Sequence, residues 1–227
     1  MKRALAAGLC ALALGTMAFG QSAGGGISVF VPETLYRYGK GTVAFEQGLS
    51  TAVGFGKIIS LPVGFAYHST DGFTVEHANL KKVEGPAFYG DSIIPYAMLK
   101  AKISLGALYL EAFGGGALAW AFSMNPTGNY FPSTLAQPGD SYVAFKDLTI
   151  ERKLGYGWLA GGAIGVQIGA IGVDIGATYR DIGIPMDLKT SYSRVNGAVA
   201  TEGTETFTGA KAILRGVSIR LGGSFSF

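Results

Sequence analysis

Two histidines, His68 and His77, are the side chains of this 227-residue chain best suited to move a proton near neutral pH. His68 is followed by Ser69 and Thr70, and Asp91-Ser92 and Asp140-Ser141 offer further hydroxyl and carboxylate groups, so the chemistry to consider is acyl hydrolysis by a nucleophile, a base and an orienting acid. Nothing in the spacing brings such a set together. His68 is expected to be a solvated histidine near a strand end, and no catalytic residue is assigned. Metal binding has little material: the sole cysteine, Cys10, lies in an apolar leader, and the histidines are nine residues apart with scattered acids nearby. Gly114-Gly115-Gly116 and Gly161-Gly162 lack the strand, helix and lysine of a phosphate loop, so they indicate close packing in a sheet. No cofactor is expected.

Seven further charges are candidates because each sits in a segment that alternates with period two: Glu46, Lys100, Lys102, Glu111, Asp174, Arg180 and Arg220. In 216–227, Val217, Ile219, Leu221, Gly223, Phe225 and Phe227 share one face, while Gly216, Ser218, Arg220, Gly222, Ser224 and Ser226 share the other. In 171–180, Ile171, Val173, Ile175, Ala177 and Tyr179 oppose Gly172, Asp174, Gly176, Thr178 and Arg180. Bulk and apolarity lie on one face, and glycine with the charges on the other. A water-soluble sandwich would reverse that by placing charge outward, whereas the interior of a narrow closed barrel has room for little but small residues. The seven charges are therefore expected to face the lumen. Glu111 lies beside Lys100 or Lys102, and Asp174 beside Arg220, so cross-strand ion pairs that fill the barrel are expected, with a solute constriction as the alternative.

The segments 27–38, 46–55, 59–68, 98–103, 108–122, 154–168, 171–180 and 216–227 make eight strands. Short connections near Gly56, Ser104 to Gly106 and Gly169-Ala170 alternate with long polar ones at 70–91, 123–153 and 181–210. That is the rule of outer-membrane barrels, with periplasmic turns short and outer loops long. Phe65, Tyr67, Trp120, Phe122, Tyr156, Trp158 and Tyr179 fall at the outer strand ends on the apolar face, as an interfacial girdle requires. A spanning helix over 158–179 would bury Gln167 and Asp174, the aspartate alone costing about 2.5 to 3.5 kcal/mol.

Lys2 and Arg3, the apolar run from Ala4 to Met17, and Ala18-Phe19-Gly20 indicate a cleavable signal peptide over 1–20, leaving 21–227 as one domain. The 36 glycines and 15% charged residues disfavour long helices in water, and a net charge of +3 without a basic stripe excludes nucleic-acid binding as a reading.

The fold class expected is all-β, a transmembrane antiparallel up-and-down barrel of eight strands behind a cleavable signal peptide. The chain resembles the small outer-membrane barrels that include the OmpX-like and OmpW-like families. The resemblance rests on the leader, the alternating segments, the loop parity and the terminal Phe225 and Phe227. It implies residence in the bacterial outer membrane, contact with its lipid, and recognition of Phe225 and Phe227 by the barrel-assembly machinery. It implies a narrow porin-like channel for passive uptake of small hydrophobic solutes, with a surface-exposed adhesin or structural protein whose loops meet a host ligand as the alternative. Lipid-modifying enzymes also use this barrel, as a further alternative; among them the lipid A deacylases carry a His and Ser separated by one residue on the outer face, whereas His68 and Ser69 are adjacent.

Overall fold

The computed structural model describes residues 22–55, 58–80, 82, 85–128 and 131–226. The leader 1–20, the turn residues Gly56 and Lys57, and Phe227 lie outside the described residues. Nine antiparallel strands form one sheet: β1 (Ser22–Pro32), β2 (Ala44–Phe55), β3 (Ile59–Glu76), β4 (Phe88–Leu105), β5 (Leu108–Pro126), β6 (Tyr142–Arg152), β7 (Gly155–Ile168), β8 (Ile171–Asn196) and β9 (Val199–Ser226). Eight of them close a ring in the order β1, β2, β3, β4, β5, β7, β8, β9, because β9 pairs with both β8 and β1. The ninth, β6, lies in the stretch expected to be a long loop, 123–153, and pairs only with the upper half of β8, from Arg152↔Met186 to Tyr142↔Val195.

The ring follows from the alternation. Side chains of successive strand residues point to opposite faces, so Leu99, Ile103, Leu110, Ile164, Ile175 and Leu221 form an exposed apolar belt around the wall. An exposed apolar surface of this extent is covered by lipid in a barrel of this kind. Tyr67 packs near Phe122 (6.2 Å) and Trp158 near Tyr179 (5.4 Å) at the upper edge of the belt. The short turns at Gly106 and Gly169, both with positive φ, mark the opposite edge, here called the turn rim.

Three further segments differ from the sequence expectation. The first strand, expected over 27–38, runs instead over Ser22–Pro32 and gives way to a helix, α1 (Glu33–Tyr38). Pro32 leaves the strand at φ −66°, Glu33 and Arg37 pair across one turn at 2.9 Å, and Gly39 at φ 68° ends the helix with its N–H on the Leu35 carbonyl. The second difference is that 70–91 is not simply a loop: β3 continues to Glu76 and β4 starts at Phe88. The third is that 181–210 is a continuous β8–β9 hairpin, paired as far as Asn196↔Val199. From Asp181 to Asn196 that is about 50 Å of strand at ~3.3 Å per residue. Above the end of β2, β3 turns from that strand to pair with β9, Thr74↔Ile213 to Glu76↔Lys211.

These extensions build a second core above the belt. Phe73, Phe88, Ile184, Met186, Leu188, Ala210 and Ala212 have essentially no exposed surface, and Val143, Phe145, Leu148 and Ile150 of β6 pack against them. Each such large side chain contributes about 1.5 to 3 kcal/mol by leaving water, which is what holds an extended sheet upright outside a membrane.

Candidate functional site

The interior has three levels. Nearest the turn rim lies a cavity of about 140 Å³ whose walls include Lys100, Glu111, Asp174, Arg220, Tyr96 and Ser50. Its charges are matched. Lys100 Nζ donates to Glu111 Oε1 at 2.9 Å, and Arg220 Nη2 to Asp174 Oδ1 at 2.7 Å. Lys102 stands apart from Glu111 although the two face each other in register; its ammonium donates to Gln167 Oε1 at 2.6 Å and lies 3.8 Å from the centre of the Tyr109 ring. Bare backbone makes room for these groups. A Cβ on Gly222 would come within 2.7 Å of Asp174 Oδ1, one on Gly161 within 2.8 Å of Phe113 Cε2, and one on Gly165 within 2.3 Å of Tyr109 Cζ. Phe113 and Tyr109 of β5 thus occupy the space that side chains at Gly161 and Gly165 of β7 would take.

The middle level is a knot of five side chains from five strands. The Glu46 carboxylate of β2 accepts both guanidinium nitrogens of Arg180 from β8, at 2.5 and 2.6 Å. It also accepts the hydroxyls of Ser218 (2.6 Å) on β9 and Ser28 (3.0 Å) on β1. His68 Nδ1 on β3 lies 2.5 Å from Glu46 Oε1. A carboxylate can only accept, so that nitrogen carries the proton. Arg180 further donates to Ser218 Oγ, and its guanidinium sits 4.9 Å from the Phe30 ring centre. Glu46 is 2% exposed and Arg180 7%, so this is a bidentate ion pair shielded from water, with extra hydrogen bonds filling the lone pairs that isolated buried charge would leave open.

His68 is the clearest correction. It is fully buried and not solvated, its ring edge-on to Phe30 at 4.8 Å and to Phe73 at 6.4 Å. Its alternating position placed it inward, but the sequence held no sign that Glu46 and Arg180 would meet it. Ser92 faces it in register, and neither Ser92 Oγ nor His68 Nε2 has a hydrogen-bond partner among the described residues. Both are sealed from solvent, so no substrate reaches them in this conformation. Asp91 points the other way, accepting the Tyr67 hydroxyl at 3.0 Å. His77 lies far along β3's exit, its ring 5.5 Å from Phe207 and its Nδ1 accepting the Asn79 N–H.

The upper level is the apolar core, entered at Phe30, Ile182 and Leu214, each with no exposed surface. Sequence reading missed it. Its signal was present as Ile182, Ile184, Met186 and Leu188 at spacing two, inside a stretch otherwise rich in Asp, Lys, Ser and Thr. On the outer surface of this level, Asp187 accepts Lys153 Nζ at 2.9 Å and the Gly209 N–H at 2.8 Å, and these bonds hold its carboxyl below the usual aspartate range. Phe225, expected to serve assembly, is exposed on the belt at the turn rim.

No protein-family model and no curated protein sequence matches the chain. Among solved structures, it is similar to the outer membrane protein OprG from Pseudomonas aeruginosa, at 12% identity and a TM-score of 0.57, over 91% of this chain and 94% of that one. Neisserial surface protein A aligns over 91% of this chain and 95% of its own at 13% identity, with a TM-score of 0.42. The closed ring, its apolar belt and the OprG likeness together show that this chain has the fold of the small eight-stranded outer-membrane β-barrels.

Proposed function

We propose that the protein resides in the bacterial outer membrane and works at the cell surface, through the extended sheet of β6, β8 and β9 that a shut barrel holds in place. The observation that carries this is the interior itself. A polar cavity ends on the Glu46 knot, and the knot ends under a core of side chains with no exposed surface. A solute crossing along the axis would have to break a buried ion pair and then displace packed aromatic rings. The sheet above, in contrast, presents two long strands and a ninth strand bonded to the barrel on one side only.

A second reading, a conduit for small hydrophobic molecules, is favoured by one feature: the upper level is lined mainly by apolar side chains, so a solute able to part them would find a chamber suited to it. Purified protein in planar bilayers and vesicles separates the two. The surface reading expects no conductance and no faster entry of an apolar dye than in empty vesicles. It also expects cells displaying a chain without 191–208 to lose adhesion to host-cell layers while the barrel keeps its heat-modifiable migration on gels. Dye uptake that rises with the protein and survives that deletion would install the conduit reading. A Gly165→Leu substitution is a poor probe of passage, since Tyr109 already occupies that space.

A further inference from the structure

The strand 216–227 is apolar at every outward position except Gly223. The wall explains where that exception leads. Gly223 of β9 pairs with Gly25 of β1, and Gly25 also lies on the lipid side of its strand, so two neighbouring strands lack outward side chains at the same level. Two strands at ~4.8 Å spacing make the notch, and Leu49 narrows it from the β2 side, its Cδ2 lying 3.0 Å from where a Cβ on Gly25 would stand. In register to either side stand Val173 on β8 and Leu49 on β2, with Phe65 beyond Leu49. The result is a trough of about 640 Å³ that runs obliquely up the belt, from Val173 near the turn rim to Tyr67 in the aromatic girdle.

Its upper end carries a polar group. Gln47 of β2 faces outward between Ile27 and Tyr67, exposed, and its amide has no hydrogen-bond partner among the described residues. The other outward polar side chain at this side of the belt, Thr51, bonds the Ser22 carbonyl at 3.0 Å. At girdle depth a primary amide with no protein partner is placed to donate to a lipid carbonyl. Tyr67 is held beside it by its bond to Asp91.

We propose that this trough seats one acyl chain of a membrane lipid, with the chain's ester or amide carbonyl accepting a hydrogen bond from Gln47 and its methyl end lying over Gly25 and Gly223 toward Val173. The trough is continuous with the belt that lipid covers, and its polar end is at the girdle where lipid carbonyls lie. A second copy of the protein fits it less well: a two-fold contact sets like against like, so notch would face notch and leave a void. A single flexible chain fills it.

The test uses the full protein in phosphatidylethanolamine vesicles that contain a lipid with a photoreactive diazirine on its acyl chain. After illumination, label is located by peptide mass spectrometry. Labelling per outward residue on β1, β2 and β9 should exceed that on β4 and β5 by about fivefold, the factor that one net hydrogen bond of ~1 kcal/mol supplies. Gln47→Leu and Gly223→Leu should each bring the ratio to near one. A Cβ at Gly223 meets its nearest atom, the Gly172 carbonyl oxygen, only at 3.9 Å, so that variant is expected to retain the folded, heat-modifiable band. Even labelling around the wild-type barrel overturns the proposal whatever the variants do. Excess label that persists in both variants also overturns it, as does protection of β1 and β9 from label in protein that migrates as a dimer, which would assign the trough to a second copy.

Discussion

Within the single strand β8, residues 171–180 and residues 181–189 obey opposite rules. In the first stretch Ile171, Val173, Ile175, Ala177 and Tyr179 face out, and Gly172, Asp174, Gly176, Thr178 and Arg180 face in. In the second, Asp181, Gly183, Pro185, Asp187 and Lys189 face out, while Ile182, Ile184, Met186 and Leu188 face in and are fully buried. The strand does not slip: even positions point inward throughout. What changes is the solvent outside it, from hydrocarbon to water, and side-chain polarity inverts to match. The seam lies at the Glu46 knot inside and at Arg215 with Asp181, 2.7 Å apart, outside. One strand therefore serves as membrane wall and as half of a water-exposed, folded cap.

The comparison is broken most severely at the seam. Glu46→Ala leaves Arg180 buried without its counter-charge, for an expected loss of about 3 to 5 kcal/mol. Urea titration in vesicles should show the whole barrel unfolding at lower denaturant, and an unchanged midpoint would mean that the knot does not join the two regions. Ile184→Ala removes packing from the cap alone, at about 2 to 5 kcal/mol. External protease should then cleave β8 or β9 above Asp181 while the membrane-embedded part keeps its heat-modifiable migration.

The inversion itself is sharpened by one substitution tried on each side. Ile175→Lys, outward at mid-belt, should cost about 2 to 4 kcal/mol, whereas Gly183→Lys, outward beside Tyr156 at the girdle, should stay within about 1 kcal/mol. Equal effects would place the water boundary elsewhere. The smallest effect is acid-dependent and confined to the cap. Because the folded state holds Asp187 below its ordinary value of 3.8, its contribution is complete above that pH and is lost as pH falls through the lowered value. Hydrogen exchange at the Gly209 amide should quicken on that descent, and Asp187→Asn should remove the dependence.

The same comparison explains what was legible in the sequence. Residues 171–180 and 216–226 announced themselves because apolar-out alternation with glycine inside fits a barrel wall and little else. Residues 182–188 alternate just as strictly, but with the sign reversed and with Pro185 in the run, which argues against an interior strand position. Strand β6 was hidden differently. Its core-facing residues Val143 and Phe145 are followed by Leu148 and Ile150, so the parity changes midway, and the structure has a register shift between Phe145 and Asp147 at that point. A bulge of this kind erases period two. As for the interior, the charge positions could be placed by parity, but partners could not: Lys100 reaches Glu111 diagonally while the directly facing Lys102 turns to Gln167. The knot needed five strands in register at once, which no local pattern contains.

The pairing of Ser22 with Ser226 places the seam of the ring between strands from opposite ends of the described chain. Every wall strand except β1 and β9 meets both of its ring neighbours within a modest stretch of sequence, whereas β1 must wait for β9. Contact order is accordingly high, and long-range pairing of this kind folds slowly. Until β9 arrives, β1 has an open edge and the belt has no lipid to match it, a state prone to stick to other chains. The cylinder therefore cannot close until β9, the last of the described strands, has reached β1, the first.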